Sequence, residues 1–141
     1  MSMQTSKEIR STVTSEGIIE ISIANVPMPV PSESEVLIKV EAAPINPSDL
    51  ALLVSFAADL DSAEFSREDQ ISKATIKIRP GLMNALKGRV GQPMPAGNEG
   101  AGIVIGAGEK AKALIGKTVG VAGGSMYSQY RCVPAANCLV M

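Results

Sequence analysis

Thirteen glycines and nine prolines cut this 141-residue chain into short runs, and the apolar runs that survive mostly alternate with polar residues. Alternation with period two is the mark of a half-buried strand. From Ile18 onward, Ile19, Ile21 and Ile23 fall on one face and Glu20, Ser22 and Ala24 on the other. Pro27, Pro29 and Pro31 then end the run, because each lacks an amide donor. A second run over 35–43 places Val36, Ile38 and Val40 inward and Lys39 and Glu41 outward. Pro44 and Pro47 close it around Asn46, and Ser48 or Asp49 can cap a short helix through Leu53. Further strands are expected near 100–106, 117–122, 126–134 and 137–140. So many short strands between glycines and prolines predict a mainly β fold, a partly open barrel with one or two short helices, rather than βαβ units.

The remaining segments read less sharply. Residues 1–7 look like a loose start. Residues 59–69 are acidic and expected in solvent. Residues 73–79 alternate β-branched and basic side chains, which suits an exposed strand. Pro80-Gly81 opens a helical turn near 82–86, and Gly88 stops it. No internal repeat is visible.

Composition excludes several classes of function. The formal net charge is −1 and aromatics are 3% of the chain, so neither a phosphate-neutralising patch nor a base-stacking platform is present and nucleic acid is not an expected partner. Hydrophobic residues make up 45% of a chain long enough to bury about two thirds of its unfolded surface, so a packed core is expected in one domain. No apolar run reaches the ~18 residues of a membrane span, and the polar N-terminus is unlike a signal peptide; the cytoplasm is the default location. Histidine is absent. Proton chemistry therefore falls to carboxylates, tyrosine, lysine, a thiol or the substrate. Cys132 and Cys138 are six apart and read as two reduced thiols.

One motif invites a false reading. Gly106-Ala-Gly108-Glu-Lys-Ala111 fits G-x-G-x-x-A, follows an apolar strand and precedes a helix-like 110–114. A pyrophosphate loop also needs a helix long enough to pack on a sheet and an acidic residue about 20 positions on. Gly116 stops this helix within two turns, and no Asp or Glu follows Glu109. The expectation is a turn between barrel strands.

Two constellations carry candidate chemistry. Asn46, Ser48 and Asp49 lie at a strand end between prolines, where fixed φ angles hold an amide, a hydroxyl and a carboxylate in a small volume. They read as a polar wall beside a nicotinamide or a substrate carbonyl, or as a capped turn. Gly97-Asn98-Glu99-Gly100 sets an amide and a carboxylate among glycines that permit close backbone approach. Glu99 reads as an acid/base or as a loop anchor. Tyr127 and Tyr130 read as packing residues on opposite faces of a strand, and Lys77, Arg79, Lys87 and Arg89 as solvated bases.

Ile45-Asn-Pro-Ser-Asp49 and Gly97-Asn-Glu-Gly-Ala-Gly102 together resemble the catalytic domain of medium-chain dehydrogenase/reductases, in the zinc-independent branch of quinone and enoyl reductases. The resemblance is clearest over residues 36–50 and 95–140 and implies a GroES-like barrel. In the alcohol-dehydrogenase branch the first motif carries a cysteine and the second a histidine, both zinc ligands. The matching positions here are Asn46 and Asn98, and amides are poor zinc ligands. The resemblance thus implies no metal, a catalytic site drawn from Asn46, Ser48, Asp49 and Asn98, and a supporting role for Glu99. It implies NADPH as hydride donor and an activated alkene, quinone or carbonyl as small-molecule substrate. The stretch Ala43-Pro-Ile-Asn-Pro-Ser-Asp49 is especially similar to enoyl thioester reductases, whose tyrosine shortly after this motif has no match in residues 50–57. The connection over 52–95 is longer than the family's. The chain stops about where the family's nucleotide-binding domain starts, so no cofactor-binding residues are assigned and that domain is expected in the parent chain or in trans. A homo-oligomer is open. The competing reading is a standalone, non-enzymatic GroES-like barrel for binding or assembly, with 52–66 as its mobile loop.

Overall fold

The computed structural model describes residues 4–69 and 71–141. Among them lie ten strands and one α-helix: β1 (Thr5–Val13), β2 (Ile18–Pro27), β3 (Glu35–Ala42), α1 (Pro47–Leu53), β4 (Glu64–Glu68), β5 (Ile71–Lys77), β6 (Met94–Pro95), β7 (Glu99–Ala107), β8 (Thr118–Ala122), β9 (Tyr130–Pro134) and β10 (Cys138–Val140). They form two five-stranded sheets, ordered β4-β5-β2-β1-β6 and β10-β8-β7-β3-β9. Every strand pair with a described register is antiparallel. The fold is mainly β and partly open, with no closed barrel among the described residues, as the short alternating runs predict.

The chain divides into two compact units. The first comprises Met1–Glu8, Asn25–Ile45 and Gly97–Met141. Its core is Val36, Ile38, Val104, Ala111, Val119, Val121, Met126 and Val133, each at most 5% exposed. Val36 and Ile38 on β3 and Val119 and Val121 on β8 fall at alternate positions, so the period-two pattern converts directly into one buried face. Each such Val or Ile contributes about 1.5–3 kcal/mol relative to exposure. At Gly102 a Cβ would overlap the Lys39 carbonyl, so β3 and β7 approach closely there only because the side chain is absent.

The second unit comprises Ile9–Ala24 and Asn46–Ala96. Val13, Ile19, Ile78 and Leu86 form its core, with Phe56, Leu82, Met83 and Val90 packed against them. The strand expected over 73–79 is β5, but it is not simply exposed: Ile76 and Ile78 are 4% and 7% exposed. The acidic 59–69 stretch is largely solvated as expected, yet it contains β4, held to β5 by backbone pairing from Glu64↔Thr75 to Glu68↔Ile71.

Three expectations are corrected. Of the loose start at 1–7, residues 1–3 lie outside the described residues, while Thr5–Lys7 already belong to β1. The strand expected over 126–134 begins only at Tyr130, because Ser125 takes φ +72 in a turn that Ser128 closes by donating its hydroxyl to the Ser125 carbonyl at 3.0 Å. Tyr127 therefore precedes the strand that holds Tyr130 rather than sharing it. The glycine turn after β7 behaves as read: it leads into a single 3₁₀ turn, Lys112–Leu114, and then β8.

Candidate functional site

In the second unit, α1 starts where the two prolines leave it. Asn46 is the N-cap, with extended φ −97 and ψ 157, and Pro47 takes the first helical position, where its missing amide costs nothing. Asp49, three residues on, completes a capping box with Asn46. Its Oδ2 accepts from the Asn46 backbone amide at 2.8 Å, while the Asp49 amide donates to the Asn46 carbonyl at 2.9 Å. Asp49 is 2% exposed, Asn46 half-buried and Ser48 exposed. At the other end the Leu50 carbonyl accepts from the Val54 and Ser55 amides at 2.9 and 3.0 Å and from the Ser55 hydroxyl at 3.0 Å. A seven-residue helix is not stable by itself, so these end contacts fix it. The structure thus brings Asn46, Ser48 and Asp49 together and gives Asp49 a capping task.

In the first unit, Asn98 and Glu99 are exposed at the start of β7. Gly97 before them takes φ +101, and a Cβ there would lie 2.5 Å from the Tyr127 nitrogen and 2.7 Å from its ring. Only glycine fits both the φ and the space. The Gly97 carbonyl accepts from the Met126 amide at 3.0 Å and the Asn98 carbonyl from the Gly123 amide at 2.9 Å. Tyr127 then donates its hydroxyl to the Pro44 carbonyl at 2.8 Å. Pro44 and Glu99, with Val121, Leu139 and Met141, help line an open, mostly apolar hollow of about 340 Å³ in which Glu99 is the one charged lining side chain. The tyrosine's role as a tie to Pro44 was not legible in sequence, since nothing local marks a partner 83 positions away.

The donor chemistry bears on metal and cofactor. The chain has no histidine, and among the described residues no three of His, Cys, Asp and Glu gather to hold a metal ion. Cys132 on β9 and Cys138 on β10 sit in strands at opposite edges of one sheet, both as free thiols. Burial pushes the Cys132 thiol up, with Glu35 adding to the rise and Arg131 opposing it; burial alone does the same at Cys138. The glycine turn at 106–111 offers no helix of a length that could seat a pyrophosphate. Among the described residues no helix is long and apolar enough to cross a membrane.

The family model described as the alcohol dehydrogenase GroES-like domain matches residues 32–141. A Mesorhizobium loti protein assigned as an NADPH:quinone reductase aligns with all of this chain at 27% identity and a TM-score of 0.55. A quinone oxidoreductase from Coxiella burnetii aligns with 97% of it at 19% identity and 0.61, and a mycobacterial protein complexed with NADPH with 96% at 19% and 0.54. The chain covers 38%, 37% and 32% of those three proteins, so it spans roughly a third of their length. No curated protein matches it.

Proposed function

The chain belongs to the alcohol dehydrogenase GroES-like domain family, and from that premise we propose that residues 1–141 are the substrate-side catalytic domain of a zinc-independent, NADPH-dependent reductase. Its substrate is an activated alkene, quinone or carbonyl, and its location the cytoplasm. What supports this reading is the sequence resemblance, which matches two amides, Asn46 and Asn98, to the positions where the family's zinc enzymes place cysteine and histidine. Amide groups donate and accept hydrogen bonds but hold zinc poorly. The family's metal therefore does not fit this donor set.

NADPH, when bound, supplies the hydride. Its pyrophosphate is held by a nucleotide-binding unit outside residues 1–141, in keeping with the greater length of the structural relatives, of which this chain covers 38% and 37%. This chain's residues orient the substrate and stabilise charge. Asn46, fixed as N-cap by Asp49, presents its amide as a hydrogen-bond donor to a developing enolate or alkoxide. Exposed Ser48 adds a hydroxyl donor to the same turn. Asp49 keeps Asn46 in place. Asn98, in the first unit, also carries an amide, and Glu99 supports the glycine-rich segment around it.

The test is turnover by the intact native protein. Its mass should exceed the 14.6 kDa of this chain. NADPH oxidation is measured against a naphthoquinone, an enone, an enoyl thioester and an aldehyde, with elemental analysis for zinc on the same sample. Turnover of at least one acceptor without stoichiometric zinc supports the reading. Absence of turnover on all four, or activity lost to a chelator and restored by zinc, overturns it.

A further inference from the structure

Arg89 reads in sequence as a solvated base, but in the fold it is half-buried and ends a chain of hydrogen bonds that leads to α1. Its Nη2 donates to Ser11 Oγ at 3.2 Å, and the Ser11 hydroxyl donates to the Leu52 carbonyl at 2.9 Å. Ser11 is 0% exposed. A parallel bridge between Val13 and Val90 holds the flanking backbones together. Leu52 lies in the last turn of α1, where carbonyls lack intrahelical partners. The arrangement is costly: Arg89 Nε is buried without a partner. Burial alone pulls the guanidinium below its ordinary value. A methionine would fill the same space without a charge to desolvate. What the arginine adds is direction, a fixed donor aimed at one hydroxyl and through it at one carbonyl.

We propose that Arg89 is a positioning residue: through Ser11 it sets the last turn of α1, and so the aim of the helix whose first turn carries Asn46, Ser48 and Asp49. The inference rests on the reductase reading above for its effect on rate, but not for its effect on the helix. The capping box holds one end of α1 and the Arg89–Ser11–Leu52 chain the other. Loss of the second tie lets the short helix fray and its N-terminus wander, and small displacements of a reacting group lower kcat more than they weaken binding.

The test uses the full-length protein with Ser11→Ala, Arg89→Lys and Arg89→Met. Ser11→Ala should lower kcat about tenfold with KM within about twofold. It should also raise hydrogen exchange at the Val54 and Ser55 amides about tenfold while the β3 and β7 amides keep their protection. Arg89→Lys should restore part of the protection that Arg89→Met removes. Unchanged exchange and kcat in Ser11→Ala overturn the proposal, as does exchange that rises equally in α1 and in β3 and β7. A wild-type protein with no turnover sinks the reductase reading, while the exchange measurement still decides the tie. Should Arg89→Met fail to fold, Ser11→Ala alone decides.

Discussion

Asp49 Oδ2 accepts a hydrogen bond from the Asn46 backbone amide at 2.8 Å, with Asp49 itself 2% exposed. A carboxylate in that position is occupied by the helix start. Asp49→Ala should therefore cost about 1–2 kcal/mol of stability, as loss of a capping partner does. Asp49→Asn, which keeps an acceptor, should cost less. Urea unfolding measures both. A neutral Asp49→Ala in melting, paired with a large loss of turnover, would move Asp49 from the cap to the substrate.

Gly97→Ala should be strongly destabilising. Its Cβ would lie 2.5 Å from the Tyr127 nitrogen, at a φ of +101 that side chains rarely adopt. Backbone strain and overpacking together set the cost at about 3 kcal/mol or more. Equilibrium unfolding checks the value. Tyr127→Phe removes only the hydroxyl bond to Pro44 and should cost about 1 kcal/mol or less, so the contrast between the two separates space from hydrogen bonding.

The strands whose inward residues are aliphatic were legible, and those with polar inward residues were not. Val36 and Ile38 on β3 are buried while Lys39 and Glu41 are exposed, as the alternation requires. In β1 the deeply buried positions include Ser6 and Ser11, which carry no hydrophobic signal. They are tolerated there because each hydroxyl is bonded: Ser6 Oγ accepts from the Tyr130 amide at 3.2 Å, and Ser11 bonds Leu52 and Arg89. In β4 all five residues are exposed, so its strand character comes from backbone pairing alone. Of the site, the local part was legible: an N-cap, a proline and an acid three residues on mark a helix start. Ties between distant segments, such as Tyr127 with Pro44, leave no trace in local spacing.

Stability should fall in acid partly through Glu35. The Ser32 amide donates to Glu35 Oε2 at 2.9 Å. That bond, aided by the Ser32 side chain, holds the carboxyl below its ordinary value of 4.5. A carboxylate with a depressed folded pKa adds stability that is present above the unfolded pKa and is lost as pH falls through the folded one. Melting temperatures of the wild type and Glu35→Gln should therefore differ above the ordinary carboxylate range and converge below it. A constant gap across that range would exclude the titration of Glu35 as the cause.

Asn46 carries two tasks that substitution can separate. As N-cap it supports α1, and serine or aspartate serves there nearly as well, whereas alanine costs about 1 kcal/mol. As proposed donor to the substrate it needs its side-chain amide, which neither replacement provides. Asn46→Ser and Asn46→Asp should therefore melt within about 0.5 kcal/mol of the wild type. Both should still lose about a hundredfold in kcat in the full-length protein, the scale of removing one donor to a developing oxyanion. Asp should be the worse of the two, since its charge opposes the negative charge that builds on the substrate. If Asn46→Ser keeps full turnover, the residue is a cap and nothing more, and the stabilising donor must be sought at Ser48 or Asn98. If turnover falls in all three variants only as far as stability does, the catalytic role fails for Asn46 altogether.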